Sequence, residues 1–319
     1  MKPRIVVRLI LIAAVVATTV VAQRAVSRRF RRAQTPDWSS SPANNVFFDN
    51  AFTQALKGDR PENLSAQPMV ASVTSDAAAQ PTEQPSGQGW SRYISGETIE
   101  DTIKLLRSDL EKSVVQPAQF AGGGNRAARR QFVLLATLFA IIEQYDGDVR
   151  WKDQAVAARE KFRASAQTAK VGSIQAFNAA KFAKADLIDL IGGNTLSQVS
   201  ADPVTDWSMV ADRNILMQQL ETILEDELQP NTNNPNDFKQ NTSLLRRNAE
   251  YMAALAEVLT LEDMEDATDD DYVEFSRRIQ SASSSLLNAI NDGNAVDARK
   301  ATGEINKACS ECHEMYRGL

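Results

Sequence analysis

The sequence AVDARKATGEINKACSECHEMYRGL, residues 295–319, has the spacing of one amphipathic helix and carries the most unusual feature of the chain. Ile305, Cys309 and Cys312 recur at intervals of three or four residues, which places them on one helix face. His313 follows directly. The 319-residue chain has two cysteines and one histidine, so all of them lie within this single helical turn. The pattern predicts a helix whose end is specialised for chemistry.

Cys309-Ser310-Glu311-Cys312-His313 is the Cys-x-x-Cys-His pattern of covalent c-type haem attachment. Two thiols on one helix face can each add to a porphyrin vinyl group, and the adjacent imidazole can bind the iron. A disulfide between the two cysteines is an alternative for an exported chain. A zinc site is another, although a structural zinc needs a fourth ligand. The spacing favours one covalently bound haem c, with Cys309, Cys312 and His313 as its attachment residues.

The N-terminus has the features of an export signal. Lys2, Arg4 and Arg8 precede an apolar run at residues 9–22, which is the layout of a signal peptide. The same apolar stretch, taken as residues 5–22, is almost long enough to anchor the chain in a membrane. We therefore expect residues 1–22 to be a signal peptide or a membrane anchor, and the rest of the chain to be periplasmic. Arginines just after this segment favour contact with anionic lipid headgroups.

Residues 23–89 are rich in Pro, Ser, Ala, Gln and Thr, a composition that cannot bury a core. We expect a low-complexity, disordered linker. Within it, residues 44–64 place Phe47, Phe48 and Leu56 on a short apolar face. This segment is either an amphipathic helix that docks against another surface or a transient helix in the linker.

The remainder of the chain contains an internal repeat. Residues 90–120 align with residues 207–238, so that Trp90 matches Trp207 at an offset of 117 positions. Further along, the alignment slips by five positions, and residues 173–193 then align with residues 295–315. Two copies of one unit explain this pattern economically.

Each copy has four amphipathic segments at helical spacing and no strand alternation. In the second copy, the first segment buries Met209 and ends at Gln229-Pro230, and the second runs from Asp237 to Leu259. The third opens at Thr-Asp-Asp-Asp, residues 268–271, and the fourth is residues 295–316. We predict an all-α fold with two tandem four-helix bundles, at residues 90–200 and 203–319.

The second bundle resembles the cytochrome c′ family, four-helix cytochromes with Cys-x-x-Cys-His near the end of the last helix. Members carry an arginine on the first helix and a leucine or methionine four residues later, as Arg213 and Met217 stand here. An aromatic residue and an arginine commonly follow the motif, as Tyr316 and Arg317 do. The resemblance implies that His313 and Met217 bind the iron from opposite sides and that Arg213 lies beside the haem.

The first copy lacks all of these haem residues. The positions that match Cys309, Cys312 and His313 are Leu187, Leu190 and Ile191, and those that match Arg213 and Met217 are Gly96 and Glu100. We therefore expect residues 90–200 to form a haemless bundle of the same fold.

Charge distinguishes the two copies. Residues 203–319 contain 22 Asp and Glu against 10 Lys and Arg, whereas residues 90–202 contain 13 against 15. The acidic residues are densest at positions 262–271. Such a surface speeds association with a basic partner protein and disfavours nucleic acid. The sequence therefore predicts a redox partner with a basic surface.

Three functions fit these features. Met217 as sixth ligand favours electron transfer. If Met217 only packs in the core, a five-coordinate iron can bind nitric oxide or carbon monoxide. The long linker and the haemless bundle also suit a membrane-tethered structural adaptor. We expect no enzymatic activity, because the one histidine belongs to the haem motif and the chain has no nucleotide motif.

Overall fold

The computed structural model describes residues 89–197 and 206–317, and within these ranges the chain forms helices and no strands. The predicted all-α class is confirmed for this part of the chain. The predictions for residues 1–22, for residues 44–64 and for the linker up to position 88 lie outside the described residues. No helix in the described ranges is both long and apolar enough to cross a membrane.

The first four helices follow a 3-10 turn at Gly89–Arg92. Ser95 and Ser173 begin the first and fourth helix, because each hydroxyl oxygen accepts a hydrogen bond from a backbone N–H of the first turn. The first helix packs against the second and the fourth, and the third packs between the second and the fourth. The helices are α1 (Gly96–Ser113), α2 (Asn125–Glu143), α3 (Ala155–Thr168) and α4 (Ile174–Ile191).

The second group of helices also follows a 3-10 turn, Trp207–Met209. Asp212, Asp269 and Asn294 begin three of them as N-cap residues. Positive-φ Gly293 closes the helix before Asn294, with backbone N–H bonds from Gly293 to Ile290 and from Asn294 to Ala289. The helices are α5 (Arg213–Thr222), α6 (Pro235–Gln240), α7 (Thr242–Val258), α8 (Asp270–Asn291) and α9 (Ala295–Tyr316).

The end of α5 differs from the sequence prediction. The helix does not stop at Gln229-Pro230 but continues through a π-helical segment, Ile223–Leu228, and a last turn, Gln229–Thr232. The Gln229 N–H bonds to the Leu224 carbonyl five residues back. Because a π turn shifts the carbonyls relative to the chain that follows, Pro230 can continue the helix without the clash that a proline causes inside a regular helix.

Two further details of the second group differ from the prediction. Met209 is 59% exposed, because it lies in the 3-10 turn and Asp212 starts α5 only after it. The segment predicted to run unbroken from Asp237 is divided at Asn241 into α6 and α7.

The two groups of helices touch each other and belong to one compact unit. α1 contacts α7, and α2 contacts α5, so that the first helix of each group meets a long helix of the other. The indole rings of Trp90 and Trp207 pack with their centroids 5.4 Å apart. Nearby, the Ser95 hydroxyl donates to a carboxyl oxygen of fully buried Glu250 at 2.6 Å.

Candidate functional site

The Cys-x-x-Cys-His motif lies in the last two turns of α9. The buried face of this helix is formed by Ile305, Ala308 and Cys312, which are at most 7% exposed. Cys309 and His313 are half-buried at the edge of that face. Neither thiol forms a disulfide. Both sulfur atoms and the imidazole lie on the side of α9 that faces the rest of the second group.

A cavity of about 190 Å³, which we call the motif cleft, opens beside these residues. Its apolar walls come from α5, its π segment, the residue after α7, and α8: Met217, Leu220, Leu224, Leu259, Phe275 and Ile279. Cys309, Cys312 and His313 line the same cleft from α9. The structure thus brings four of the five predicted site residues to one cavity.

Arg213, the fifth predicted residue, does not line the motif cleft. Its guanidinium pairs with the Asp266 carboxylate and lies 3.6 Å from that of Glu265. The same group stands over the Tyr272 ring, 5.6 Å from the centroid. Its nearest described anionic partners are therefore carboxylates of residues 259–269, the loop between α7 and α8, which we call the acidic loop.

The electrostatics of the motif favour neutral side chains. Burial raises the pKa of the Cys309 thiol to about 11, with a smaller effect from Cys312. Burial also raises the pKa of Cys312, although the charge of Arg213 opposes the shift. Burial, followed by the charge of Arg317, lowers the pKa of His313. The imidazole is thus neutral at pH 7, the form whose nitrogen lone pair can bind a metal.

Two tyrosines at this end of α9 form a feature that the sequence reasoning missed. Tyr272 is 1% exposed, and its ring packs edge-on against that of Tyr316 at 5.4 Å. The Tyr316 hydroxyl donates to Asp269, and this hydrogen bond lowers the pKa of the Asp269 carboxyl. The acidic loop is thereby joined to the motif helix. In the sequence, Tyr272 is an aromatic residue in the first turn of a helix after an acidic run. This pattern is a weak indication of function and does not predict the contact with Tyr316.

The side chains of the motif cleft fit a covalently bound haem. Two thiols, one neutral imidazole and one thioether sulfur are the groups that such a haem requires, and apolar side chains line part of the cleft. The cleft is smaller than the roughly 300–1,000 Å³ of typical small-molecule pockets, so a porphyrin would need its walls to separate. Within residues 89–197 and 206–317, no three His, Cys, Asp or Glu side chains are grouped to hold a metal ion together.

Comparisons with known proteins give no relative: no family model, no curated protein and no solved structure matches this chain.

Proposed function

We propose that this protein is an exported c-type cytochrome that carries one covalent haem and transfers electrons. The observation that supports the proposal best is that Met217, from α5, lines the same apolar-walled cleft as Cys309, Cys312 and His313. A thioether and an imidazole from different helices are the two ligands of a six-coordinate electron-transfer haem.

Each residue of the cleft has a role in this proposal. The Cys309 and Cys312 thiols would hold the group through thioether bonds, and His313 and Met217 would ligate it. The bound haem would supply a reversible one-electron change at its iron. Buried Leu220 keeps water from the cleft on the α5 side. The helical frame of α9 fixes the relative positions of both thiols and the imidazole.

We also infer that the two groups of helices are copies of one four-helix unit and that only the second copy holds haem. In α4, the residues that match the two cysteines are Leu187 and Leu190, which are at most 1% exposed. Glu100, the match of Met217, pairs with Lys104 at 2.9 Å and with Arg150 at 2.7 Å. The first copy therefore fills the corresponding region with aliphatic side chains and offers no iron ligand there.

The acidic loop is the surface that we assign to a basic redox partner. Its exposed carboxylates include Glu262, Asp263 and Glu265, and Asp269 connects the loop to the end of α9. A partner bound there would stand close to the motif. The rate of association with a basic partner should fall as salt is added, since exposed charges are screened. We propose a periplasmic location for the protein, with residues 5–22 as a membrane anchor if they are not removed.

The covalent attachment can be tested on the purified full chain. After acid–acetone extraction, the haem should remain with the polypeptide at one haem per chain. Loss of all porphyrin into the organic phase would exclude covalent attachment. A ratio near two would show that the first copy also binds haem.

The role of Met217 can be tested by Met217→Leu, with Met209→Leu as the matched control on an exposed methionine outside the cleft. Met217→Leu should change the oxidised spectrum from low-spin to high-spin, lower the reduction potential and allow carbon monoxide to bind. Met209→Leu should leave all three unchanged. If the wild-type protein is already high-spin and Met217→Leu has no effect, gas binding replaces electron transfer as the function. Attached haem with no reversible reduction would favour the structural adaptor.

A further inference from the structure

A second cavity, of about 340 Å³, lies where α2 and α3 meet the beginning of α5. We call it the α2–α5 cavity. Its volume is within the roughly 300–1,000 Å³ range of small-molecule sites. It shares no lining residue with the motif cleft. Buried apolar residues, among them Val133, Val210 and Met264, form part of its wall.

The charged side chains around this cavity are mostly basic. Four cations line it against two carboxylates: Arg129, Arg163, Lys170 and Arg213 against Asp212 and Glu265. The first turn of α5 also contributes to the wall, and there the Asp212 carboxylate accepts a hydrogen bond from the Ile215 N–H. The side chains that line the cavity therefore carry an excess of two positive charges.

Three of the four cations of the cavity pair with protein carboxylates, and Arg213 does so with Asp266, outside the cavity lining. Arg129 binds Asp212 through Nη2 at 2.5 Å, but its Nε is buried without a hydrogen-bond partner among the described residues. Arg163 pairs with Glu160, a neighbour on its own helix, at 2.7 Å. Lys170 is exposed and has no ion pair within the described ranges. Lys170 and Arg163 can therefore turn to a ligand at little cost to the fold, because surface ion pairs contribute little.

We propose that the α2–α5 cavity binds a small organic anion that carries carboxylate or phosphate groups. Arg163 on α3 and Lys170, two residues after the end of α3, bind the anionic group. Charge-assisted hydrogen bonds of this kind are the strong ones in ligand recognition. The site is independent of the haem proposal, since none of the haem residues lines it.

The probe is succinate, titrated calorimetrically into the full chain at low ionic strength, with uncharged succinamide as the matched control ligand. Succinate should bind saturably at one molecule per chain, and more weakly as sodium chloride is added. Succinamide should give no saturable heat. Inorganic phosphate, titrated in the same way, distinguishes a phosphate site from a carboxylate site.

The site is located with the double variant Lys170→Gln/Arg163→Gln, and Lys181→Gln on α4 serves as the control at an exposed lysine outside the cavity. The double variant should bind succinate or phosphate about tenfold more weakly or not at all, and the control should bind as the wild type does. The proposal is overturned if neither anion binds the wild type, if the double variant binds equally well, or if Lys181→Gln loses the same affinity. The calorimetric assay measures anion binding directly and does not depend on haem. A failure of the haem proposal and a failure of this proposal therefore give different results.

Discussion

Tyr251 and Tyr145 are both buried, but their hydroxyl groups have different surroundings. The Tyr145 hydroxyl donates to the Ile94 carbonyl at 2.9 Å, whereas the Tyr251 hydroxyl has no partner among the described residues. A buried hydroxyl without a hydrogen bond destabilises the fold, and removing a satisfied one leaves its partner unpaired. We expect Tyr251→Phe to leave the free energy of unfolding unchanged or raise it by up to about 1 kcal/mol.

Tyr145→Phe is the matched comparison and should lower the free energy of unfolding by about 1–2 kcal/mol. Urea denaturation followed by circular dichroism measures both values. Equal losses in the two variants would mean that the Tyr251 hydroxyl has a partner in solution.

Asp269 should make stability depend on pH through its bond from Tyr316. The hydrogen bond from Tyr316 lowers the pKa of Asp269 below its ordinary value of 3.8, and backbone N–H groups of Tyr272 and Asp271 add to the shift. A carboxyl with a lowered pKa stabilises the fold above its ordinary pKa, and this contribution disappears as the pH falls through the folded value. Tyr316→Phe should therefore be less stable than the wild type at neutral pH and equally stable at strongly acid pH.

Urea denaturation at both pH values gives the comparison. Tyr251→Phe is the control, since its hydroxyl has no carboxylate partner among the described residues and its effect should not change with pH. A Tyr316→Phe difference that persists in strong acid would contradict the assignment.

The sequence predicts the motif residues better than their surroundings. Helical spacing suffices to put Cys309, Cys312 and His313 together, because all three lie within one turn. The cleft also includes Met217, as the family resemblance implies. The pairing of Arg213 with Asp266 could not be predicted, since it depends on how the loop before α8 folds back over α5. Long-range contacts of a loop leave no periodic signal in a sequence.

At the level of helices, a π segment in the second group and a kink in the first explain a one-residue irregularity in the alignment of the two ranges. One residue more separates Trp207 from Pro235 than separates Trp90 from Pro117, and the second copy has its π segment, Ile223–Leu228, in this interval. Between these prolines and the arginines of α2 and α7, the first copy has the extra residue instead, at a kink in Phe120–Gly124 where Gly123 has a φ of 130°. Because a π turn accommodates one extra residue, the flanking helices keep their faces toward the core.

Deleting one residue from a π segment should therefore do little harm. We expect deletion of exposed Asp226 to convert Ile223–Leu228 to regular helix and to preserve the fold. The deletion is made in a protein that also carries Pro230→Ala. Without this change, Pro230 would lie in a regular helix and cost about 3 kcal/mol. Thermal unfolding, followed by circular dichroism, should show a transition close to that of Pro230→Ala alone.

Deletion of exposed Ser284 in the same background is the control, since α8 has no π segment. It should turn Leu286 and Ile290 away from the core and abolish the cooperative transition. If both deletions are equally damaging, the π segment does not hold an extra residue.

Helix prediction succeeds where local rules decide the outcome and fails where the backbone departs from them. α9 has the ends expected for its fourth segment, because Asn294 caps it and Gly293 ends the preceding helix. The predicted end of α5 is wrong because the rule that proline stops a helix assumes regular helix geometry. No composition signal marks a π turn in advance.

At the scale of the whole molecule, the Ser95–Glu250 contact should couple the two groups of helices energetically. Both the backbone N–H and the hydroxyl of Ser95 donate to Glu250, at 3.0 and 2.6 Å. A double-mutant cycle with Ser95→Ala and Glu250→Ala should give a coupling energy of about 1–2 kcal/mol. The measurement is urea denaturation of the wild type, both single variants and the double variant.

Ser173→Ala combined with Glu250→Ala is the control cycle, because Ser173 caps α4 by bonding the backbone N–H of Ala176. Its coupling energy should be near zero. A coupling for Ser95 no larger than this would mean that the two groups are energetically separate.

The repeat predicts that the two halves are similar, but it does not predict how they pack. Periodicity identifies the apolar face of each helix, and the two aligned ranges predict the same faces, so the pattern fits separate units as well as touching ones. The contact depends on few residues, such as Trp90 and Trp207, whose spacing carries no information about a partner.

The packing of Trp90 against Trp207 has a consequence for dilute conditions. Two separate chains that met through such a surface would dissociate as their concentration fell. Here both indoles belong to one polypeptide, so each faces the other at an effective concentration set by the intervening chain rather than by the amount of protein. Dilution therefore leaves this contact intact, and expression level has no influence on whether the two groups of helices stay together.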